Sequence, residues 1–491
     1  MVRPRAPQAS RPQLVFSSIQ FIFLFFPLAL VLYWIVPRRA RNLMLLALSL
    51  FFYASGESRH LWLLLALIAV NYCAGHAIEA GRELSRRIAL ACAVGVNLAA
   101  LGWFKYAGFI ATSVFPAAHF AAWQGILLPL GISFYVFHNI SYVVDVYRGA
   151  APARRNPIDF ALYISFFPQV IAGPIIRYHD IAHALDDRHV RLEDFASGME
   201  RFVVGLAKKM VIADPLGEIA DKAFALPVAT LSGSDAWLGL ICYALQIYFD
   251  FSGYSDMAIG LARMFGFEFL ENFNYPYVSR SVQEFWRRWH ISLSNWFRDY
   301  LYIPLGGSRR GATRTYFNLA TVFLLCGLWH GAAWSFVVWG AIHGFLLVVE
   351  RAGLGRLLVR APALVARAYT LLVVTLAWVV FRSPTLAGGI GYYAALLHPD
   401  AKNFSRIYPG EFTWVVLACA LLGATGAFTW LTRDWRARAG QLRGRVDPAL
   451  AEMREGALVL GARNVILLGL MVLSFLQLAS AVYNPFIYFR F

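Results

Sequence analysis

What most constrains this chain is a succession of apolar stretches, each close to the length of a bilayer crossing, that runs through nearly all of it. A spanning helix needs about 20 predominantly apolar residues. Leu14 to Val36 qualifies, behind a basic lead of Arg3, Arg5 and Arg11. That stretch is too long for a signal-peptide core and has no small-residue cleavage site, so it reads as a retained first span. Further candidates are 42–54, 60–80, 87–111, 124–147, 158–176, 195–213, 236–266, 315–329, 332–350, 364–381, 412–432 and 462–484. The expected fold class is an all-α polytopic integral membrane protein. Some stretches must be re-entrant or interfacial. The stretch 158–176 carries Pro168, Gly173 and Pro174, and a broken helix survives at membrane depth only where protein or a cavity shields it. About ten to twelve true crossings are expected from these lengths.

Composition excludes the soluble alternatives. Charged residues are 15% and hydrophobic residues 59% of 491, against roughly 25% charged in an ordinary globular protein. So few charges cannot clothe a soluble surface, and disordered, collagenous and disulfide-stapled classes fall away. The net charge is +16, and of the 44 basic residues only five are Lys: Lys105, Lys208, Lys209, Lys222 and Lys402. The basic residues sit in short connections such as Arg38-Arg39-Ala40-Arg41 and in the stretch Arg433 to Arg445. Topology-setting loops beside anionic headgroups explain that placement better than nucleic acid does. Basic residues flank the first span at both ends, so they give no orientation. The five Cys are scattered through apolar stretches with no metal-like pairing, and no structural metal is implied. No repeat of 20–50 residues supports an inverted-repeat transporter.

The informative region runs from Ile247 to Arg351. Tyr248-Phe-Asp-Phe-Ser-Gly-Tyr-Ser-Asp256 places Asp250, Ser252, Ser255 and Asp256 inside a long apolar helix. A carboxylate at membrane depth is costly and must face a partner or a wet cavity. The commoner arrangement is a pair of structural acids meeting Arg263 or a nearby Arg. The alternative is the polar wall of a substrate path. Ser281-Val-Gln-Glu284 has the capping-box pattern that opens a helix. At about 100° per residue, Phe285, Trp286, Trp289, Leu293, Trp296, Phe297 and Tyr300 then share one face. Arg287, Arg288, Ser294, Asn295 and Arg298 lie opposite. This predicts one interfacial amphipathic helix with His290 at the edge of its aromatic face. Its arginines read first as headgroup contacts and second as a clamp for a phosphate-bearing ligand. Pro304 to Gly311 reads as a turn, without the pattern of a phosphate loop.

The next element is Leu324-Leu-Cys-Gly-Leu-Trp-His330-Gly-Ala-Ala-Trp334. A histidine in the middle of an apolar run is a functional hypothesis by default. Gly327 and Gly331 flank His330 on one face, so a helix or a thin ligand can approach closely. Imidazole suits a general base at neutral pH. From chemistry alone that role and a core histidine bonded to a neighbouring carbonyl stay equally open. For His343, His138 and His76 packing is the simpler reading. A transporter or flippase, with Asp250, Asp256 and the histidines as a proton relay, is the main rival, and a secretion scaffold is a third reading.

These strings resemble the membrane-bound O-acyltransferase family, and within it the bacterial branch typified by the alginate O-acetyltransferase membrane subunit. The match is carried by Leu128-Pro-Leu-Gly-Ile-Ser-Phe-Tyr135, Phe167-Pro-Gln-Val-Ile-Ala-Gly-Pro174, Tyr248 to Asp256 and Glu271-Asn-Phe-Asn-Tyr-Pro276. It continues through Glu284-Phe-Trp-Arg-Arg-Trp-His-Ile-Ser-Leu293 and Leu328-Trp-His-Gly331, with Val15 to Ser18 and Phe486 to Phe491 at the ends. The resemblance implies about eleven spans with re-entrant and interfacial helices around a central tunnel. It implies one transmembrane domain over 14–491 with a catalytic core about 236–350, and the basic extension over 1–13 departs from the family pattern without touching the catalytic strings. It makes His330 the essential catalytic residue and His290 its support. Asp250, Ser252, Asp256, Asn295 and Trp329 become tunnel candidates, and Arg287, Arg288 and Arg298 candidates for donor phosphates. The implied reaction moves an acetyl group from acetyl-coenzyme A, a substrate rather than a tightly bound cofactor. It crosses the bacterial inner membrane to an extracytoplasmic SGNH-type acetyltransferase and exopolysaccharide machinery. Alginate is the foremost acceptor, with peptidoglycan, cellulose and D-alanylated teichoic acid as the others.

Overall fold

The structure is a computed structural model that describes residues 14–114, 126–398, 405–427, 448–480 and Phe486. The extension 1–13, the stretch Arg433 to Arg445 and the terminal string after Phe486 lie outside the described residues. Every regular element among the described residues is helical. Five helices there are long and apolar enough to cross a membrane: Leu61–Ala80, Glu83–Val114, Trp334–Arg360, Ala363–Arg382 and Gly461–Ser480. Shorter apolar helices are Phe21–Ile35, Leu386–Leu397 and Glu411–Ala424. Other stretches read as spans from hydropathy fold as shorter or more polar helices.

The chain divides into two compact units, one of 1–198 with 258–269 and one of 199–257 with 270–491. In the first, helix Ile132–Arg148 is buried along almost its whole length and packs against helices Leu61–Ala80 and Glu83–Leu101. Its neighbours carry their own polar pairing, with Asn97 Nδ2 donating to Asn71 Oδ1 over 2.7 Å. The stretch 158–176 begins as helix Pro157–Ser165 and then breaks. Phe166, Phe167, Val170 and Ile171 along the break are buried. Protein therefore shields the non-helical backbone, as a lipid environment requires.

In the second unit, helices Ala312–His330 and Trp334–Val349 form a tight hairpin. Gly327 and Gly340 make it possible: a Cβ on Gly327 would lie 2.2 Å from the Phe336 carbonyl oxygen, and one on Gly340 2.3 Å from that of Phe323. The partner at the glycine face is thus a helix and not a ligand. Helix Ala363–Arg382 packs on the same hairpin. A second close approach joins 199–213 to 233–257, where a Cβ on Gly205 would lie 2.6 Å from the Gly253 carbonyl oxygen.

The stretch 281–300 departs from the single amphipathic helix expected of it. Ser281 caps it as predicted, accepting from the Glu284 N–H over 3.0 Å. The buried Glu350 carboxylate adds to that start by accepting from the N–H groups of Val282 and Gln283. Helix Val282–Arg288 then stops, a second helix runs Ile291–Phe297, and a π-helical turn follows over Arg298–Tyr302. Its aromatic face is buried in protein and not laid on lipid: Trp289 packs on Trp378 with centroids 5.1 Å apart, and Phe285 stacks near His343. An aromatic stripe cannot announce from sequence whether protein or membrane covers it.

Candidate active site

His330 is the last residue of helix Ala312–His330, and Gly331 ends the helix in extended backbone. Its ring is buried among aromatic edges, with centroids 5.0 Å from Trp329, 5.2 Å from Trp339 and 5.3 Å from Phe381. The helix end and the tight hairpin fix the Cα, and the aromatic cage restricts the ring. Water is largely excluded from such a shell, which strengthens any polar interaction made inside it.

His290 occupies the break between the two short helices, with φ 44°. Among the described residues only it and Tyr275 have positive φ without being glycine. That backbone costs about 1–3 kcal/mol and persists only where surroundings impose it. Here the segment 272–274 imposes it. The Asn272 carbonyl accepts from the Ile291 N–H and the Asn274 N–H donates to the Arg288 carbonyl, both over 2.9 Å. The Asn272 side chain, fully buried, lies 3.2 Å from His290 Nδ1. His290 therefore faces Phe251 edge-on at 4.6 Å, Trp329 at 5.9 Å and His330 at 6.5 Å. Sequence reasoning quoted Asn272 only as part of a family string. Its signal was a buried amide between aromatics, which chemistry alone does not assign.

The buried carboxylates take the structural arrangement. Asp250 lies 2.7 Å from Lys209, which also holds Asp214 at 2.6 Å. Asp256 accepts from Arg201 over 2.8 Å and Lys208 over 2.6 Å, and Arg201 also pairs with Glu271. The cations come from the segment 199–213 and not from Arg263, whose carboxylate neighbour is Asp194 at 3.7 Å. Burying an ion pair is tolerable only with good geometry, and both carboxylates have it. Ser252 is buried too, and its Oγ has no hydrogen-bond partner among the described residues.

Two arginines and Asn295 converge elsewhere. A cavity of about 410 Å³ is lined by Arg287, Asn295 and Arg298 at its polar side and by Trp286, Phe323 and Cys326 at its apolar side. Cys326 stands one helical turn before His330 on the same face. Arg298 also pairs with Asp299 over 2.7 Å. Arg288 does not join them: it is held by Glu284 at 2.9 Å and by the Asn274 carbonyl. Among the described residues no three His, Cys, Asp or Glu side chains gather as a metal would need.

The sequence profile of the MBOAT, membrane-bound O-acyltransferase family, matches residues 148–382. The chain is 43% identical to the probable alginate O-acetylase AlgI of Azotobacter vinelandii, over 97% of this chain and 100% of that protein. The membrane-bound O-acyltransferase family is the one to which the chain belongs. The corresponding Pseudomonas putida protein is also 43% identical over 97% of this chain and 100% of its own length. A peptidoglycan O-acetyltransferase of Helicobacter pylori is 37% identical over 77% of this chain and 78% of that protein. The chain is thus an acyltransferase, and the transporter and scaffold readings give way.

Scattered strings of this acyltransferase meet in space. Phe251, Asn272 and Trp329 come from three of the strings that carried the resemblance, and each touches His290, which comes from a fourth, or His330.

Proposed function

We propose that this acyltransferase O-acetylates an exported polysaccharide, alginate first among them, using acetyl-coenzyme A as the donor. The catalytic core is about 236–350. His330 takes the proton of the acceptor hydroxyl as that oxygen attacks the acetyl carbonyl. The C–O bond forms, the C–S bond breaks, and the leaving thiolate recovers the proton. His290 supports this chemistry from the neighbouring wall. Arg287 and Arg298 hold the donor phosphates at the rim of their cavity, while Trp329 and the aromatic cage keep water from hydrolysing the thioester. The fold has about eleven spans, and the acceptor hydroxyl is that of the polymer itself or of an extracytoplasmic SGNH-type acetyltransferase that receives the acetyl group across the inner membrane and passes it to the polymer.

The observation that carries the chemistry is the buried pair of imidazoles with centroids 6.5 Å apart. Near-full-length identity to probable alginate O-acetylases supports the acceptor. The test is a His330→Ala variant matched to wild type in membrane abundance, with ester-linked acetate measured on the exported polymer. General-base loss lowers the rate by about 10²–10⁴, so the esters should disappear. Retained esters on alginate overturn the assignment of His330. Loss of esters from cell-wall glycan instead of alginate overturns the acceptor.

A further inference from the structure

Asn272 does more than brace a loop. Its side-chain oxygen accepts from the Ser292 N–H over 3.1 Å and from the Ser292 hydroxyl over 2.9 Å. Its Nδ2 donates to Ser255 Oγ over 3.0 Å. A backbone N–H can only donate, so the atom facing Ser292 must be the amide oxygen, and the orientation of the amide follows. That same oxygen lies 3.2 Å from His290 Nδ1. Two acceptors cannot share a hydrogen bond, so Nδ1 must carry the hydrogen. In the neutral ring the lone pair then resides on Nε2. Ser255, Asn272, Ser292 and His290 are all buried, which keeps water from competing for these contacts.

We infer that Asn272 is the positioning residue of the acyltransferase site: it fixes the tautomer and the left-handed backbone of His290 so that Nε2 is the basic atom presented beside His330. This rests on the proposed roles of the two histidines. An outer residue that orients an imidazole in this way typically governs about 10–100-fold in activity.

The experiment is a double-mutant cycle in cells carrying the full chain, reading ester-linked acetate on exported polymer at matched membrane abundance. Asn272→Leu alone should lower acetylation about 10–100-fold. In a His290→Ala background at matched abundance the same change should cost little more, because the ring through which it affects the reaction is gone. Asn272→Asp retains the acceptor for Nδ1–H and for Ser292, so it should restore most of the acetylation. It should also move the pH profile of transfer, measured in membrane vesicles with acetyl-coenzyme A, because a carboxylate favours the imidazolium. Additive losses in the cycle overturn the inference, as does an Asn272→Asp variant with an unshifted profile. A His290→Ala variant that acetylates normally overturns it as well. If His330→Ala retains acetylation while the cycle is non-additive, the reaction assignment fails and the positioning role stands.

Discussion

His290 and His330 meet at 61° between ring planes with centroids 6.5 Å apart, one from a helix break and the other from a helix end. That separation is too long for a direct hydrogen bond between the two rings. The Proposed roles rank them. His330→Ala should abolish acetylation, while His290→Ala should leave a residual of about one part in ten to one hundred. Ester-linked acetate at matched abundance checks the order, and equal loss in both variants would refute it.

The Lys209 ammonium bridges Asp214 and Asp250, both within 2.7 Å. Removing a buried partner strands the others, typically at about 3–5 kcal/mol. Lys209→Met strands two carboxylates, so it should be more destabilising than Asp250→Asn, which leaves Lys209 its second partner. Thermal unfolding of the detergent-purified protein reads the order directly.

The hairpin that carries His330 depends on bare backbone at Gly327. A methyl group there meets the Phe336 carbonyl at 2.2 Å, and backbone cannot step aside as a side chain can. Gly327→Ala should cost about 1–3 kcal/mol as overpacking does, and lower acetylation by displacing the helix end. Gly469→Ala, where a Cβ meets nothing within 4 Å, is the control and should be neutral.

The arginines separate by their partners. Arg287 and Arg298 line the cavity whereas Arg288 is committed to Glu284. Arg287→Glu with Arg298→Glu should raise the apparent KM for acetyl-coenzyme A in membrane vesicles and flatten its dependence on salt. Arg288→Glu should instead lower thermal stability with the donor KM little changed. Unaltered KM and salt dependence in the double variant would dismiss the phosphate assignment.

His179, in the polar stretch 177–194 outside the spans, has its pKa raised above the ordinary imidazole value. The leading cause is its hydrogen bond to the Asp145 carboxylate, over 2.8 Å. Burial opposes the rise, Asp180 adds to it and Arg177 subtracts. A raised folded-state pKa means the charged ring stabilises the fold fully below the unfolded value, and that contribution fades as pH rises through the folded one. The Tm advantage of wild type over His179→Gln should therefore be largest near about pH 6 and shrink by about pH 9.

Much of the site was legible because polar residues at membrane depth are rare and each must have a reason. His330 was singled out on that ground, His290 only through the family resemblance, and the capping of the helix at Ser281 followed from local pattern. The break at His290 was not legible. The 3.6-residue period continues through Trp289 and His290 with no glycine or proline to interrupt it, and the break is imposed by Asn272, 18 residues upstream. An arginine partner was expected and Asp256 has one in Arg201, but Arg263 is not it, and the lysine partners were missed for a similar reason. Arg263 is near Asp256 in sequence, while Lys208 and Lys209 lie in a π-helical turn within a stretch that reads as an ordinary span.

The sequence by itself determined that the chain is a helical membrane protein whose scarce polar groups at membrane depth each need a partner or a role. Those conclusions depend on composition and local period, which neighbours along the chain define. Only the tertiary structure decided that His290 leaves the helix, that Asn272 orients it, and that Asp250 and Asp256 serve as buried ion pairs. These depend on contacts between residues far apart in the chain, where packing and the cost of burying polar groups override local preference.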